Sequence, residues 1–256
     1  LRKLLLAQDD VKVETLMNQQ FVCVHTTDDQ ELVADTVRKY DLISIPVVDH
    51  EERMIGIITI DDIVDVIEEE NTEDFEKMAA MLPSEDEYLK TGVLTLAKNR
   101  MPWLLFLMIS ATFTGKIIQS YEAALASYAV LTMYIPMFMD TGGNAGGQSS
   151  VTIIRSISLG EVQFRDMFRI IWKEIRVAAL CGVTLAIVNF GKLLLIDHVG
   201  TQVAMIVCLT MIVTVLAAKL VGCTLPMLAK KIGFDPAVMA SPFITTIVDA
   251  VSLVIY

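Results

Sequence analysis

One aspartate, Asp249, lies deep inside an apolar run of the sequence at residues 237–256. A carboxylate at membrane depth costs several kcal/mol unless water or a partner solvates it. Asp249 therefore either bonds to a neighbouring helix or meets a cation in a pathway across the membrane. Thr245 lies one turn earlier, next to Thr246, although hydroxyl residues in such helices more often serve interhelical packing.

The stretch Tyr134–Ser150 is polar although it lies within a second apolar region, since it holds a proline, an aspartate, four glycines and two amides. Each glycine costs about 1 kcal/mol of helix propensity and the proline removes a backbone donor, so we expect broken backbone at these glycines. The whole apolar segment 123–154 would overshoot a ~30 Å membrane core as one straight helix, so a bent or broken helix is expected there. Broken backbone at membrane depth is tolerated only where protein buries it or where it lines a wet cavity. We therefore expect this stretch to line a pathway.

Residues 61–87 hold twelve carboxylates and one basic residue, Lys77. One interpretation is a solvated acidic helix. The other is that the carboxylates face those of a partner and need hard cations between them, for which oxygen ligands suit Mg²⁺ or Ca²⁺. Four of the carboxylates would stack on one helix face and repel one another: Asp62, Asp65, Glu69 and Glu73.

The composition divides the chain into an acidic soluble part and an apolar membrane part. Residues 1–97 carry 8 Lys and Arg against 23 Asp and Glu, whereas residues 98–256 carry 12 against 8. The chain is 54% hydrophobic with a mean hydropathy of +0.56, which is typical of a membrane protein. The acidic soluble part argues against nucleic acid or anionic lipid as its partner and favours cations.

No pattern of catalytic, disulfide or zinc chemistry is predicted. The four cysteines form no CxxC, three of them lie in apolar runs, and the three histidines are scattered. No nucleophile–base pair is suggested, so we do not expect an enzyme. The chain begins without a methionine or a signal peptide, which predicts that it starts within a longer protein.

Short alternating elements are predicted in the soluble part. They are strands at 21–25, 43–48 and 54–59 and helices at 31–40 and 60–70. This β-α-β-β-α order, with the phrases SIPVVD and GIITIDDIVDVI, resembles the cystathionine-β-synthase (CBS) domain family. The resemblance implies an α/β CBS domain at 14–70, preceded at 1–13 by the tail of a first repeat. Paired CBS repeats often bind adenine nucleotides, but ATP binding stays unassigned because one repeat is missing.

Residues 71–97 are predicted to be an acidic linker followed by a connecting helix. Pro83 opens this helix, and Glu85–Glu87 place carboxylates in its first turn, as the helix dipole prefers. The helix would act as a plug-like lever between the soluble part and a pore.

Five apolar segments predict an all-α membrane domain at residues 98–256, since each is long enough for the ~20 residues of a spanning helix. They cover about 102–120, 123–154, 175–196, 203–228 and 237–256. Basic residues lie before the first segment, between the second and third, and between the fourth and fifth, so the positive-inside rule makes the soluble part cytoplasmic and the C-terminus external. Residues 157–172 predict an amphipathic helix in the cytoplasmic interface.

The combined features resemble the MgtE-type magnesium channel/transporter family. The phrases that carry the resemblance are NRMPWLL, TGGNAGGQS and DPAVMASPFITTIVDA, together with the CBS domain and the acidic linker. The resemblance implies a homodimer in the plasma membrane, with five helices per subunit and Mg²⁺ as substrate and regulator. It assigns the pore carboxylate to Asp249, and the pore lining to Pro136, Gly142, Gly143, Asn144, Gly146, Gln148, Thr245 and Thr246. The cytoplasmic sensing residues that it implies are Glu31, Asp41, Asp62, Asp65, Glu70, Glu73 and Asp74.

Gating follows from the same resemblance. At high Mg²⁺ the ions bridge the carboxylates and close the pore, and at low Mg²⁺ repulsion between the carboxylates opens it. One alternative is a coupled carrier of Co²⁺, Mn²⁺ or Ni²⁺, against which stands the lack of Cys, His or Met ligands beside Asp249. A second alternative, a membrane sensor that reads nucleotide and transports nothing, leaves the glycine-rich stretch unexplained.

Overall fold

The structure, a computed structural model of the 256-residue chain, describes residues 6–8, 11–17, 21–84, 88–121 and 129–256. It divides into two units, Leu1–Asn71 and Thr72–Tyr256. The first unit combines a small sheet with helices, and the second is helical. In chain order the elements are α1 (Val13–Leu16), β1 (Val24–His25), α2 (Gln30–Lys39), β2 (Ser44–Val48), β3 (Met54–Thr59), α3 (Ile60–Met78), α4 (Val93–Ser120), α5 (Ala129–Thr132), α6 (Ile135–Ser158), α7 (Met167–Leu195), α8 (Thr201–Lys231) and α9 (Ser241–Ile255), with 3-10 helices at Phe164–Asp166 and Pro236–Met239.

The first unit has a three-stranded sheet in the order β1-β2-β3. Strand β1 pairs parallel with β2, and β2 pairs antiparallel with β3. Val37, Ile45 and Ile63 are fully buried between the sheet and the helices. Helix α2 begins after Asp29, whose side chain accepts a hydrogen bond from the Glu31 backbone N–H. The predicted β-α-β-β-α order is confirmed, with the first strand reduced to two residues.

The connecting helix begins later than predicted. Residues 88–91 form a turn and a bend, and α4 starts at Val93, after an extended Gly92. The predicted start at Pro83 is therefore wrong, and Glu85–Glu87 lie outside the described residues. Helix α4 then runs without interruption to Ser120, so the connecting helix and the first apolar segment form one helix.

Four helices among the described residues are long and apolar enough to cross a membrane: Val93–Ser120, Phe164–Leu195, Thr201–Lys231 and Pro236–Ile255. The predicted count of five is not confirmed. Helix α6 has 24 residues, which is long enough to span, but it carries the polar stretch and is not among the four.

The glycine-rich stretch is helical, so the predicted break within it is wrong. Helix α6 runs continuously from Ile135 to Ser158, and the chain turns instead at Met133 and Tyr134, before the first glycine. Tertiary contacts override the low helix propensity here, because α6 packs closely against both α8 and α9.

The predicted amphipathic helix at 157–172 is also absent. Helix α6 ends at Ser158, a loop follows with Gly160 in a left-handed conformation (φ +70°), and the 3-10 helix leads directly into α7. The basic and aromatic residues between 157 and 172 lie in this loop, in the 3-10 helix and in the first turns of α7. The helical part of this region is therefore the start of the long apolar helix α7, and it is not a separate interfacial helix.

Candidate ion pathway

A polar stripe runs along one face of α6. Asp140, Asn144 and Gln148 follow one another at four-residue spacing, which stacks them on one side of a helix, and all three are exposed. The Asn144 side-chain amide donates to Asp140 Oδ1 at 3.2 Å. Such a stripe in a membrane helix requires water or another polar surface beside it. Pro136, in the first turn of α6, is exposed one turn before Asp140.

The glycines of α6 lie against other helices and are buried. A Cβ added at Gly142 would come within 2.8 Å of Val248 Cγ1, and one at Gly146 within 2.9 Å of Ile244 Cγ2. Gly143 would meet Thr245 Cγ2 at 2.9 Å. Small residues allow helices to approach this closely. The glycines therefore position α6, and the exposed polar surface of the helix belongs to the stripe.

Asp249 lies on α9, half-buried and close enough to Asp140 for the two carboxylates to interact electrostatically. Asp140 was not among the predicted site residues. The sequence does contain a signal for it, because it precedes Asn144 by one helical turn within the polar stretch. Helices α6 and α9 thus each place one acidic side chain in the same region of the helical unit.

The threonines of α9 are occupied within their own helix. Thr245 Oγ1 donates to the carbonyl of Pro242 at 2.9 Å, and Thr246 Oγ1 donates to the same carbonyl at 3.1 Å. The methyl group of Thr245 faces Gly143. Their hydroxyl protons are engaged, which leaves only oxygen lone pairs for any other partner.

A buried charged group lies between three helices and was missed in the sequence. Lys219 of α8 is 5% exposed, and its ammonium donates to Ser149 Oγ of α6 at 3.2 Å. Glu174 of α7 accepts from Ser149 Oγ at 2.7 Å and lies 3.8 Å from the Lys219 ammonium. The sequence does contain a signal for this group, because Lys219 lies in the middle of an apolar segment and a charge inside a membrane is costly unless it is paired.

Two of the predicted sensing residues, Asp62 and Glu70, are each held by a hydrogen bond to a neighbouring side chain. The Thr59 hydroxyl donates to Asp62 Oδ2 at 2.7 Å, and this bond, followed by one from the Thr59 backbone N–H, lowers the pKa of Asp62 below its usual value. Glu70 accepts from the Gln30 amide at 2.7 Å.

The other predicted sensing residues are spread along the chain. Asp65 lies on α3 and Asp74 near its end, Glu31 lies at the start of α2, and Asp41 has a left-handed backbone (φ 50°). Among the described residues of a single chain, no three His, Cys, Asp or Glu side chains come together as a metal site.

The end of α3 is joined to the segment that precedes α9. The ammonium of Lys77 lies 2.6 Å from Glu73 Oε1 and 2.7 Å from Asp235 Oδ2. Burial opposes the charge, but hydrogen bonds to Asp235 and Glu73 outweigh it and raise the pKa of Lys77. Asp235 also caps the 3-10 helix before α9 by accepting from the Ala237 N–H at 2.8 Å. The Lys77–Asp235 ion pair thus links the end of α3 to the segment just before α9, the helix that carries Asp249.

Two family models match this chain. Residues 135–256 match the MgtE family, described as a divalent cation transporter, and residues 13–69 match the CBS domain. This membrane part of the chain, residues 135–256, belongs to the MgtE family. The MgtE match begins with the first residue of α6 and contains the polar stripe, the buried Lys219 group and Asp249.

Curated relatives match over the whole chain. Proteins named magnesium transporter MgtE are 37% identical in Thermus thermophilus and 32% identical in Enterococcus faecalis, each over all 256 residues. The Bacillus subtilis protein of the same name is 34% identical over 259 residues. The chain spans about half the length of these relatives, since it covers 56% of each. A crystal structure of the soluble part of a magnesium transporter is 43% identical over 27% of this chain and 27% of its own, with a TM-score of 0.26.

The MgtE match and the apolar helices together describe a multi-pass membrane protein that carries a CBS domain. The relatives are named as transporters. Helix α4 lies outside both matched regions, and of its residues only Thr114 is buried.

Proposed function

We propose that this chain moves Mg²⁺ across the membrane through a pathway lined by the polar stripe of α6 and by Asp249. The observation that carries the proposal is the exposed row Asp140, Asn144 and Gln148 beside the carboxylate of Asp249. The names of the relatives support Mg²⁺ as the transported ion.

The chemistry of the stripe suits a hydrated magnesium ion. Mg²⁺ gives up its water reluctantly, so carboxylates and amides can hold it through its water shell. The carboxylates of Asp140 and Asp249 attract cations, and the amides of Asn144 and Gln148 can donate to or accept from bound water. Soft ligands are absent from the stripe, which favours Mg²⁺ over the later transition metals.

Two copies of the chain complete the pathway in this proposal. One copy leaves the stripe exposed, and a second copy facing it across a symmetry axis would enclose a polar channel. A ring of carboxylates formed in this way selects cations. The low burial of α4, on which only Thr114 is buried, supports a homodimer in which a second copy covers more of this helix.

The acidic residues of α2 and α3 provide the gate. When Mg²⁺ is abundant on their side, ions bridge the carboxylates of two copies and favour the closed arrangement, and when it is scarce, like-charge repulsion favours the open one. The bridge from Glu73 through Lys77 to Asp235 supports this coupling, because it reaches the segment before α9. We place these residues in the cytoplasm, with the C-terminus outside, following the basic residues of the membrane part.

Uptake of Mg²⁺ into proteoliposomes tests the proposal. We expect Asp249→Ala to abolish uptake, and uptake equal to that of the wild type would overturn the assignment of Asp249. An imposed Na⁺ or H⁺ gradient separates the mechanisms, because a coupled carrier collapses the gradient in proportion to uptake and a channel does not.

A further inference from the structure

A pocket of about 360 Å³ lies where the loop after α6 meets the end of α8. Its floor is apolar and includes Ile157 and Met227, and its rim carries Gln163, Lys230 and Lys231. Small-molecule sites commonly have volumes of ~300–1,000 Å³ and combine an apolar wall with a few convergent polar groups. The pocket is separate from the polar stripe, since no stripe residue lines it.

The two lysines of this pocket are available for a ligand. Neither has a carboxylate partner among the described residues, and the Lys231 ammonium lies 4.1 Å from the centroid of the Phe164 ring at the pocket wall. They are not needed to cap α8, because backbone groups do so. Phe234 N–H donates to the Ala229 carbonyl at 2.9 Å and Gly233 N–H to the Lys230 carbonyl at 3.2 Å, with Gly233 in a left-handed conformation (φ 84°).

The acidic groups nearby do not neutralise the pocket. Asp166 accepts from the Gln163 backbone N–H at 3.1 Å and is held in the cap of the 3-10 helix. Glu161 is exposed and does not line the pocket. The rim of the pocket is therefore positive.

We propose that this pocket binds the phosphate-bearing headgroup of an anionic phospholipid. Two ammonium groups and an amide at the rim suit a phosphate ester, and the apolar floor suits the glycerol and the first methylene groups of the acyl chains. The pocket lies at the ends of α6 and α8 that carry basic residues, where membrane helices meet lipid headgroups, and basic pockets in such positions bind anionic lipid. A bound headgroup would join the end of the helix that carries the polar stripe to the end of α8.

Native mass spectrometry of the full chain in detergent, titrated with phosphatidylglycerol, tests the site. We expect discrete lipid adducts on the wild type, and binding weakened roughly tenfold or more in the double variant Lys230→Gln/Lys231→Gln. The matched control is Arg169→Gln/Lys173→Gln, which removes two exposed charges from the same region of α7 without touching the pocket. Lys230→Arg/Lys231→Arg keeps both charges and should retain binding. Mg²⁺ uptake is not used in the measurement, so the site and the proposed function can fail separately.

Three outcomes would overturn the inference. Equal losses in the pocket variant and the control variant would mean that lipid is attracted by the overall charge of the region. Displacement of lipid by millimolar inorganic phosphate or glycerol phosphate would assign the pocket to a soluble phosphate compound. Phosphatidylcholine, which carries the same phosphate but no net charge, should bind more weakly than phosphatidylglycerol, and equal binding of the two lipids would likewise contradict the proposal.

Discussion

The ammonium of Lys219 lies 3.2 Å from the hydroxyl of Ser149, and these residues join α8 to α6 inside the helical unit. Glu174 completes the group from α7, with side chains of Lys219 and Glu174 only 6% and 14% exposed. Ser149 directly follows Gln148, the last residue of the polar stripe. The buried group therefore fixes the rotation of α6 about its own axis, and with it the direction in which the stripe points.

Removal of the Lys219 charge should destabilise the protein strongly. Lys219→Met leaves Glu174 buried without a counter-charge, which typically costs about 3–5 kcal/mol, whereas Lys219→Met/Glu174→Gln removes both charges and should recover much of the loss. Thermal unfolding in detergent, followed by size-exclusion chromatography, measures the effect. Lys192→Met is the control, because the Lys192–Asp197 pair is exposed and worth at most about 1 kcal/mol. Equal destabilisation by both lysine variants would contradict a structural role for the buried group.

A methyl group at Gly222 should separate α6 from α8. A Cβ on Gly222 would run into the carbonyl oxygen of Gly146, so backbone must move, and we expect Gly222→Ala to cost about 1–3 kcal/mol or more. Gly191→Ala on α7 is the matched control, since nothing lies within 4 Å of its added Cβ and the better helix propensity should stabilise by up to about 1 kcal/mol. Thermal unfolding in detergent distinguishes the two, and similar changes in both variants would contradict the predicted close contact.

Neutralisation of Asp140 should reduce Mg²⁺ uptake while the protein stays folded. Asp140 is exposed on the stripe beside Asp249, so Asp140→Asn removes charge from the proposed pathway without opening a cavity. We expect uptake to fall roughly tenfold, which corresponds to about 1.4 kcal/mol of lost stabilisation of the ion. Asp197→Asn makes the same chemical change in an exposed loop and should leave uptake unchanged. A normal rate in Asp140→Asn would remove this residue from the pathway.

Disruption of the Lys77 bridge should weaken the inhibition of uptake by Mg²⁺. Lys77→Gln uncouples α3 from Asp235, and typical coupling free energies predict a rise of about fivefold in the Mg²⁺ concentration that closes the pathway. Asp235→Asn should have a similar effect, and the double variant should add little to either. Lys39→Gln, an exposed lysine of α2, serves as the control. Unchanged inhibition in Lys77→Gln would show that the bridge takes no part in gating.

The pH dependence of the Lys77 bridge follows from the sign of its shift. A raised pKa means that the bridge contributes its full stability below the usual lysine pKa of about 10.4 and loses it only as the pH rises through the higher folded value. Inhibition by Mg²⁺ should therefore have the same dependence on Lys77 at pH 7 and at pH 9, as measured by the difference between wild type and Lys77→Gln. A difference that disappears at pH 9 would mean that Lys77 is neutral there.

Hydrophobic patterning predicted most of the elements because it depends on local spacing. Strand β3 has the predicted bounds, and four of the apolar segments became α4, α7, α8 and α9. Helices α4, α7 and α8 begin earlier than their predicted segments, whereas α9 is shorter than its segment. The glycine stretch misled the same reasoning. Helix propensity is a weak local preference, and the contacts that α6 makes with α8 and α9 are stronger.

The sequence by itself determined the chemistry of the candidate site. Asp249 within an apolar run, and the amides of Asn144 and Gln148 near Asp140, can be recognised as candidate site residues from the sequence, because an unpaired polar group is costly in a membrane. Only the tertiary structure decided which face each residue occupies. It buried Gly142, Gly143 and Gly146 in helix contacts, exposed Asp140 and placed Lys219 against Ser149, since such choices depend on packing between segments far apart in the chain.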